Sequence, residues 1–173
     1  MLGHEMLGLN SLASFAAAVP LNITPLSSRD GYSIIQCWQL ASIPVEAMSA
    51  WNYGIGNTSR ATWSIIEPRT VVADRHSRLT MVLNGLIHVS ALAAATSSNS
   101  NYESAAPISP DGVYFQPGTL SSSILIATDL KNVSYVAGHW TEFPGNKPTV
   151  LVQTPFFDNK ALDHTVLHDG PCA

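Results

Sequence analysis

The amino-acid sequence predicts an all-β fold, either a β-sandwich or a jelly roll. Of its 173 residues, 46% are hydrophobic and only 12% are charged. Eleven glycines and eleven prolines separate short apolar runs, a pattern typical of strands joined by turns. A chain of this length suits one domain with a sizeable core. No run reaches the roughly 18 apolar residues that a membrane-spanning helix needs.

The predicted strands follow one another at short spacing along the chain. Each is an apolar or alternating run that ends at glycine, proline or a polar cluster. They cover residues 33–40, 62–72, 79–92, 112–118, 123–129, 133–143 and 149–157. Residues 44–60 are expected to form a loop, or a short helix followed by a loop. The small, polar stretch 93–111 is expected to form a surface loop.

The longest apolar run, residues 79–92, alternates with period two. Apolar residues occupy its odd positions from Leu79 to Val89, which predicts that they share one face. Asn84 and Gly85 interrupt the run and predict either a hairpin turn or a glycine bend.

Residues 1–18 are expected to be a signal peptide or an N-terminal helix, and residues 19–173 are expected to form one β-sandwich domain. Leu7 to Ala18 is apolar and ends in small residues, as a secretory signal peptide does. Because no Lys or Arg precedes it, an N-terminal helix packed on the domain is the alternative. Three N-x-[S/T] motifs, at Asn22, Asn57 and Asn132, are glycosylation acceptors if the protein is secreted. We therefore expect a protein of the secretory pathway.

The two cysteines, Cys37 and Cys172, stand near opposite ends of the predicted domain. In a secreted chain a disulfide between them would fasten the C-terminal tail to the first strand. The alternative is two buried thiols. A lone pair without a C-x-x-C spacing does not indicate a metal or redox site.

Charge indicates the kind of partner to expect. Eight Lys and Arg against twelve Asp and Glu give a formal net charge of -4, and no basic run occurs. A nucleic-acid partner is therefore not expected. Hydrophobic small molecules are the expected ligands, and the apolar strands favour a homodimer.

One resemblance is to the cupin family. The strand ending in Asn84-Gly85-Leu86-Ile87-His88-Val89, the variable loop and the stretch from Gly112 to Gly118 resemble the rhythm of its double-stranded β-helix. Aligning the cupin glycine with Gly85 places Arg78 where the family has a glutamate ligand. Near the positions where the family has its paired histidines, this chain has only His76. No histidine follows Pro117-Gly118 within residues 119–123. The resemblance therefore implies a cupin-like barrel that lacks the metal-binding motif, with no cofactor; a metal-dependent cupin with ligands elsewhere is a further hypothesis.

A closer resemblance is to a group of small secreted fungal proteins. It covers roughly residues 31–173 and is carried by residues 33–38, 124–129, 138–141 and 164–172. Some similar proteins act in tropolone–sesquiterpenoid pathways as hetero-Diels–Alderases, which join a tropolone quinone methide to a humulene-type alkene. The resemblance implies a cofactor-free pericyclase of fungal secondary metabolism. The alternative is a secreted protein that binds a small molecule, or acts as an effector, without catalysis.

A cycloaddition needs an apolar, aromatic cavity and one or two donors that polarise the heterodiene oxygen. The residues that we expect to supply donors or a general acid are Arg69, His88, Gln116 and His139. The residues that we expect to contact the substrates are Trp38, Trp51, Tyr53, Trp63, Tyr114, Phe115, Trp140 and Gln153. For each aromatic residue the alternative is a place in the core, and for each histidine a satisfied structural position.

Overall fold

The computed structural model describes residues 19–48, 50–73, 76–91, 111–119, 122–160 and 162–173. The predicted signal peptide or helix of residues 1–18 lies outside these residues, as does nearly all of the predicted loop 93–111.

Within the described residues the chain forms fourteen strands and no helix. The strands are β1 (Asn22–Ile23), β2 (Pro25–Arg29), β3 (Tyr32–Leu40), β4 (Val45–Ala47), β5 (Ala50–Asn52), β6 (Thr62–Ile66), β7 (Val71–Val72), β8 (Arg78–Asn84), β9 (Ile87–Ala91), β10 (Asp111–Phe115), β11 (Ile124–Ala127), β12 (His139–Glu142), β13 (Thr149–Pro155) and β14 (His164–Asp169). In this part of the chain no helix is long and apolar enough to span a membrane.

The strands assemble into two main sheets. The larger has eight strands in the order β1-β3-β2-β11-β8-β13-β6, with β14 paired to β3. The smaller has four strands in the order β10-β9-β12-β7, and β4 pairs with β5 as a separate hairpin. The two main sheets pack face to face, so the predicted all-β sandwich or jelly-roll class is confirmed at the level of class.

The core lies on both faces of the larger sheet. Between the two sheets its buried residues are Leu26, Ile35, Val82, Ile87, Val89, Ala91, Phe115, Leu125, Ala127, Phe143 and Leu151. On the opposite face a second cluster comprises Leu21, Ile23, Trp38, Leu40, Leu79, Ile126 and Phe156. Tyr53, Ile55 and Leu162 cover this second cluster. Burial on both faces explains why strands such as residues 124–127 are continuously apolar.

The first hairpin joins β2 to β3 through a two-residue turn. Asp30 and Gly31 have φ values of 52° and 83°. Positive φ at both central residues is the signature of a type I′ turn, whose twist matches that of the flanking strands. The turn aligns Leu26 with Ile35 and so directs both side chains into the core between the sheets.

The prediction that the apolar residues of the run 79–92 share one face is wrong. The chain bends at Gly85, which has φ 90°, and passes from β8 in the larger sheet to β9 in the smaller sheet. A Cβ at this glycine would lie 2.5 Å from Thr149 Oγ1, so the bend also needs the close approach. Because the two strands belong to facing sheets, Ile87 points into the sandwich, whereas Leu79 points to the second cluster. Of the two predicted alternatives, the glycine bend is confirmed.

Three further segments differ from the sequence prediction. Residues 45–47 and 50–52 pair as the antiparallel strands β4 and β5 instead of forming a loop or helix. Residues 62–72 contain two strands that belong to different sheets, separated by a turn at Pro68 and Arg69. Residues 164–169, which were not predicted as a strand, form β14 at the edge beside β3.

Candidate functional site

A cavity of about 170 Å³ lies between the two sheets. Its apolar wall comes from both sheets and from the β6–β7 connection. The lining residues are Ile66, Thr70, Val72, Arg78, Thr80, Ile87, Leu125, Ala127, Thr141, Phe143, Leu151 and Gln153. Val72 is 40% exposed and Gln153 is partly exposed, so the cavity meets solvent beside these two residues.

Polar side chains in the cavity concentrate where β8 and β13 run side by side. Gln153 lies directly opposite Thr80, and Arg78 is two residues further along β8. Ser64 donates a hydrogen bond to Gln153 Oε1 at 3.2 Å. The amide nitrogen of Gln153 makes no hydrogen bond to another described residue, so it can donate to an oxygen of a bound molecule. Gln153 is the one predicted site residue that lines this cavity.

The predicted aromatic residues do not converge on one site. Trp38 and Phe115 are buried in different core clusters, and Tyr53 packs over the cluster that contains Trp38. The other four are exposed on the surface: Trp51, Trp63, Tyr114 and Trp140. For Trp38 and Phe115 the alternative interpretation, a place in the core, is therefore the one observed.

His88 belongs to a row of side chains on the outer face of the smaller sheet. Its Nδ1 lies 3.0 Å from Glu142 Oε2 on β12, and its ring stacks on Tyr114 of β10 with 4.5 Å between centroids. The register places these residues directly opposite one another. The row faces away from the cavity, so His88 does not contact a molecule held there.

His139 lies in a buried polar cluster where the chain crosses from β11 to β12. Its Nδ1 is 2.5 Å from Asp129 Oδ2, and Ser33 Oγ donates to the same oxygen at 2.5 Å. All three residues are 4% exposed or less. In a nucleophilic triad the histidine stands between the hydroxyl and the carboxylate, whereas here the carboxylate stands between the other two. This arrangement fastens the crossover to β3 rather than activating Ser33.

Arg69 and Gln116 both occupy exposed positions outside the cavity. Arg69 has φ 60° in the turn after Pro68, and its backbone N–H donates to Phe143 O at 2.8 Å. Gln116 follows β10, where its backbone N–H donates to Ser122 O. The four predicted catalytic residues therefore occupy four separate places.

A polar chain links the C-terminal strand to the first hairpin. The two terminal guanidinium nitrogens of Arg29, Nη1 and Nη2, donate to Asp169 at 2.7 Å, and Gln36 Nε2 donates to the same carboxylate at 3.2 Å. These hydrogen bonds hold the pKa of Asp169 below its ordinary value, and those from Arg29 have the larger effect. Trp38 Nε1 donates to Gln36 Oε1, and the Trp38 ring stacks on His164 at 3.4 Å. His164 thus contributes to the packing of the tail.

The predicted bridge between Cys37 and Cys172 is present. Such a bond is compatible with an oxidising secretory environment. The three sequon asparagines, Asn22, Asn57 and Asn132, are all exposed. Secretion itself and glycosylation stay predictions.

Among the residues that the structure describes, no three His, Cys, Asp or Glu side chains lie close enough together to hold a metal ion. Sequence reasoning missed Thr80, Thr141 and Phe143 as cavity residues. The alternation within each strand was the available signal, but it could not show which faces meet across the sandwich. Asp129 was also missed: it follows β11 by two residues, and nothing in the local sequence shows that its carboxylate is buried.

These observations define a class of protein: an all-β sandwich with a small cavity between its sheets and a disulfide that ties its C-terminal tail to its first hairpin. Comparison with protein-family models, with curated proteins and with solved structures found no match.

Proposed function

We propose that the protein binds one small, ring-sized apolar molecule between its sheets and does not transform it. The observation that carries this proposal is the cavity, with its apolar walls and a few polar groups on β8 and β13. A dry cavity of about 150 Å³ is large enough to take up a molecule such as benzene. At about 170 Å³, this cavity has room for one ring with one oxygen substituent.

The polar groups of the cavity favour a ligand that carries a hydroxyl or carbonyl group. Burial against Leu125, Leu151 and Phe143 would supply most of the affinity. A hydrogen bond from Gln153 would orient the oxygen and is worth about 1 kcal/mol. Phenols and tropolones have this combination of an apolar ring and one polar edge.

The cavity favours binding over the expected cycloaddition. Pockets that enclose drug-sized ligands begin at about 300 Å³, and this cavity of about 170 Å³ is smaller, so its size favours a single ring over the two partners of a cycloaddition. The four expected catalytic residues also lie outside its lining. The cycloaddition stays a prediction and is tested alongside binding.

The test is titration of the disulfide-bonded protein with 4-methylphenol, tropolone and toluene, followed by calorimetry. Gln153→Leu should weaken binding of the two oxygen-bearing rings about fivefold, because one hydrogen bond is lost, and should leave toluene unaffected. Gln116→Leu is the matched control, since Gln116 is exposed outside the cavity. It should bind all three molecules as the parent does.

A second variant tests the location of the site. Ala127→Leu places a larger side chain into the cavity and should abolish binding of every ring, while circular dichroism confirms the fold. Unchanged affinity in Ala127→Leu, or no binding of any ring by the parent protein, would overturn the proposal. Formation of a single adduct enantiomer from the tropolone and humulene partners, faster than without protein, would instead support the cycloaddition.

A further inference from the structure

The outer face of the larger sheet is apolar at the end where β6 forms its edge. Seven side chains from four neighbouring strands make up this surface, which we call the apolar face: Trp63, Ile65, Met81, Leu83, Ile124, Val150 and Val152. The register places Trp63, Val152, Met81 and Ile124 in one row across the strands. Ile65 and Val150 form a second row beside it.

The apolar face continues a surface that is covered elsewhere. At its other end the same side of the sheet carries the second core cluster, over which Tyr53, Ile55 and Leu162 pack. At the β6 end, Trp63 is 65% exposed, Ile65 62% and Leu83 45%. One side of this sheet thus changes from a covered core to an open apolar surface.

We propose that a second copy of this chain covers the apolar face, so that the protein is a two-fold homodimer with its larger sheets packed against each other. The exposed parts of Trp63, Ile65 and Leu83 present on the order of 350 Å² of apolar surface, which is comparable to the patches that mark interaction sites. With their four partly buried neighbours the face approaches the roughly 500 Å² per partner at the lower end of specific interfaces.

A second copy suits this surface better than a charged or polar partner. All seven side chains are apolar, so the surface offers no charge to complement. An apolar sheet face can also pack against its own copy, and packing the same patch of two chains about a two-fold axis buries it on both. The cavity lies on the opposite side of β8 and β13, so this interface does not depend on ligand binding.

The test is the molar mass of the full, disulfide-bonded chain by light scattering over a range of concentrations. The parent should have twice the chain mass of 18.5 kDa. Trp63→Glu should raise the dimer dissociation constant about 30-fold or more, because it places a charge within the apolar interface in place of its most exposed large side chain. Trp140→Glu is the matched control, since Trp140 is 53% exposed but lies in the smaller sheet; it should remain a dimer.

Ile65→Lys provides an independent variant on the same face and should also yield the single-chain mass. A parent protein that stays at 18.5 kDa at high concentration would overturn the proposal. So would dissociation by Trp140→Glu with Trp63→Glu and Ile65→Lys remaining dimeric. A monomer that binds an apolar dye through Trp63 would assign the face to some other occupant and overturn the second-copy proposal as well.

Discussion

Burial separates two histidines whose sequence settings are similar, because both lie in strands next to apolar residues. His139 is 4% exposed and shares Asp129 with Ser33, whereas the His88 side chain is 22% exposed and pairs with a Glu142 side chain that is 45% exposed. A buried carboxylate that loses its partner pays the full cost of desolvation, whereas one at the surface regains water. Oδ1 of Asp129 already lacks a hydrogen-bond partner among the described residues, so without His139 this buried carboxylate would keep only the hydrogen bond from Ser33.

We therefore expect His139→Ala to lower the free energy of unfolding by about 3 kcal/mol. His88→Ala should lower it by less than about 1 kcal/mol, because its hydrogen bond to Glu142 is partly solvated. Urea denaturation of both variants at neutral pH measures the difference. Equal losses would contradict a fastening role for the buried cluster.

Single residues also show how far the sequence could locate a site. The amide of Gln153, flanked by apolar neighbours in the sequence, was predicted to face a ligand, and it lines the cavity. Arg69, His88, Gln116 and His139 were predicted to supply donors or a general acid but do not line it. Residue type indicates what a side chain can do, whereas the facing sheet determines what it meets.

Among the elements, the first hairpin depends on a particular backbone conformation. Gly31 has φ 83°, and a Cβ there would lie 2.7 Å from Val136 Cγ2 and 2.9 Å from Tyr135 Cζ. Val136 N–H also donates to Gly31 O at 2.8 Å. The turn therefore holds the β11–β12 crossover as well as joining β2 to β3.

Gly31→Ala should cost more than a backbone penalty alone. Gly118 has φ 101°, and a Cβ built there would meet no atom beyond its chain neighbours within 4 Å. Gly118→Ala should therefore lower the free energy of unfolding by only about 1 kcal/mol, the penalty for an alanine with positive φ. For Gly31→Ala we expect about 1–3 kcal/mol in addition, because Val136 and Tyr135 must move. Thermal and urea unfolding of the two variants provide the comparison. If Gly31→Ala lowers the free energy of unfolding no more than Gly118→Ala does, Val136 and Tyr135 move without measurable cost and the expectation is wrong.

The strand pattern of the sequence located most elements but not their sheets. The run 149–157 was predicted and forms β13, since alternation and turn residues are local signals. The run 79–92 is divided at Gly85, where the sequence predicted a turn or a bend, but no local pattern could show that the second half joins the facing sheet. β14 was missed because its residues are nearly all exposed and its pairing with β3 is long-range.

At the scale of the whole molecule, the disulfide closes the largest loop in the fold. Cys37 and Cys172 are 135 residues apart, so the bridge restrains almost the entire described chain in its unfolded state. The tail is also held by Gly170 N–H, which donates to Ile35 O, and by Cys172 N–H, which donates to Thr24 Oγ1. The bond and these contacts act on the same edge of the larger sheet.

Replacing both cysteines with alanine should lower the free energy of unfolding by about 2–5 kcal/mol, since a bridge across so long a loop removes much unfolded-state entropy. Denaturation of the parent with and without a reductant should reproduce this difference, while the double variant should not respond to the reductant. Mass spectrometry of the unreduced parent checks that no free thiol is present. A loss below about 1 kcal/mol would show that β14 pairing alone secures the tail.

The sequence by itself determined the all-β class, the positions of most strands and the presence of two cysteines suited to a bridge. These properties depend on local patterns of apolar residues, glycine and proline. Only the tertiary structure decided which strands face each other, and with that the cavity, the buried Asp129–His139 pair and the exposed apolar face. Each of these requires residues from distant parts of the chain to meet, and strand alternation specifies the two sides of a strand without specifying what covers them.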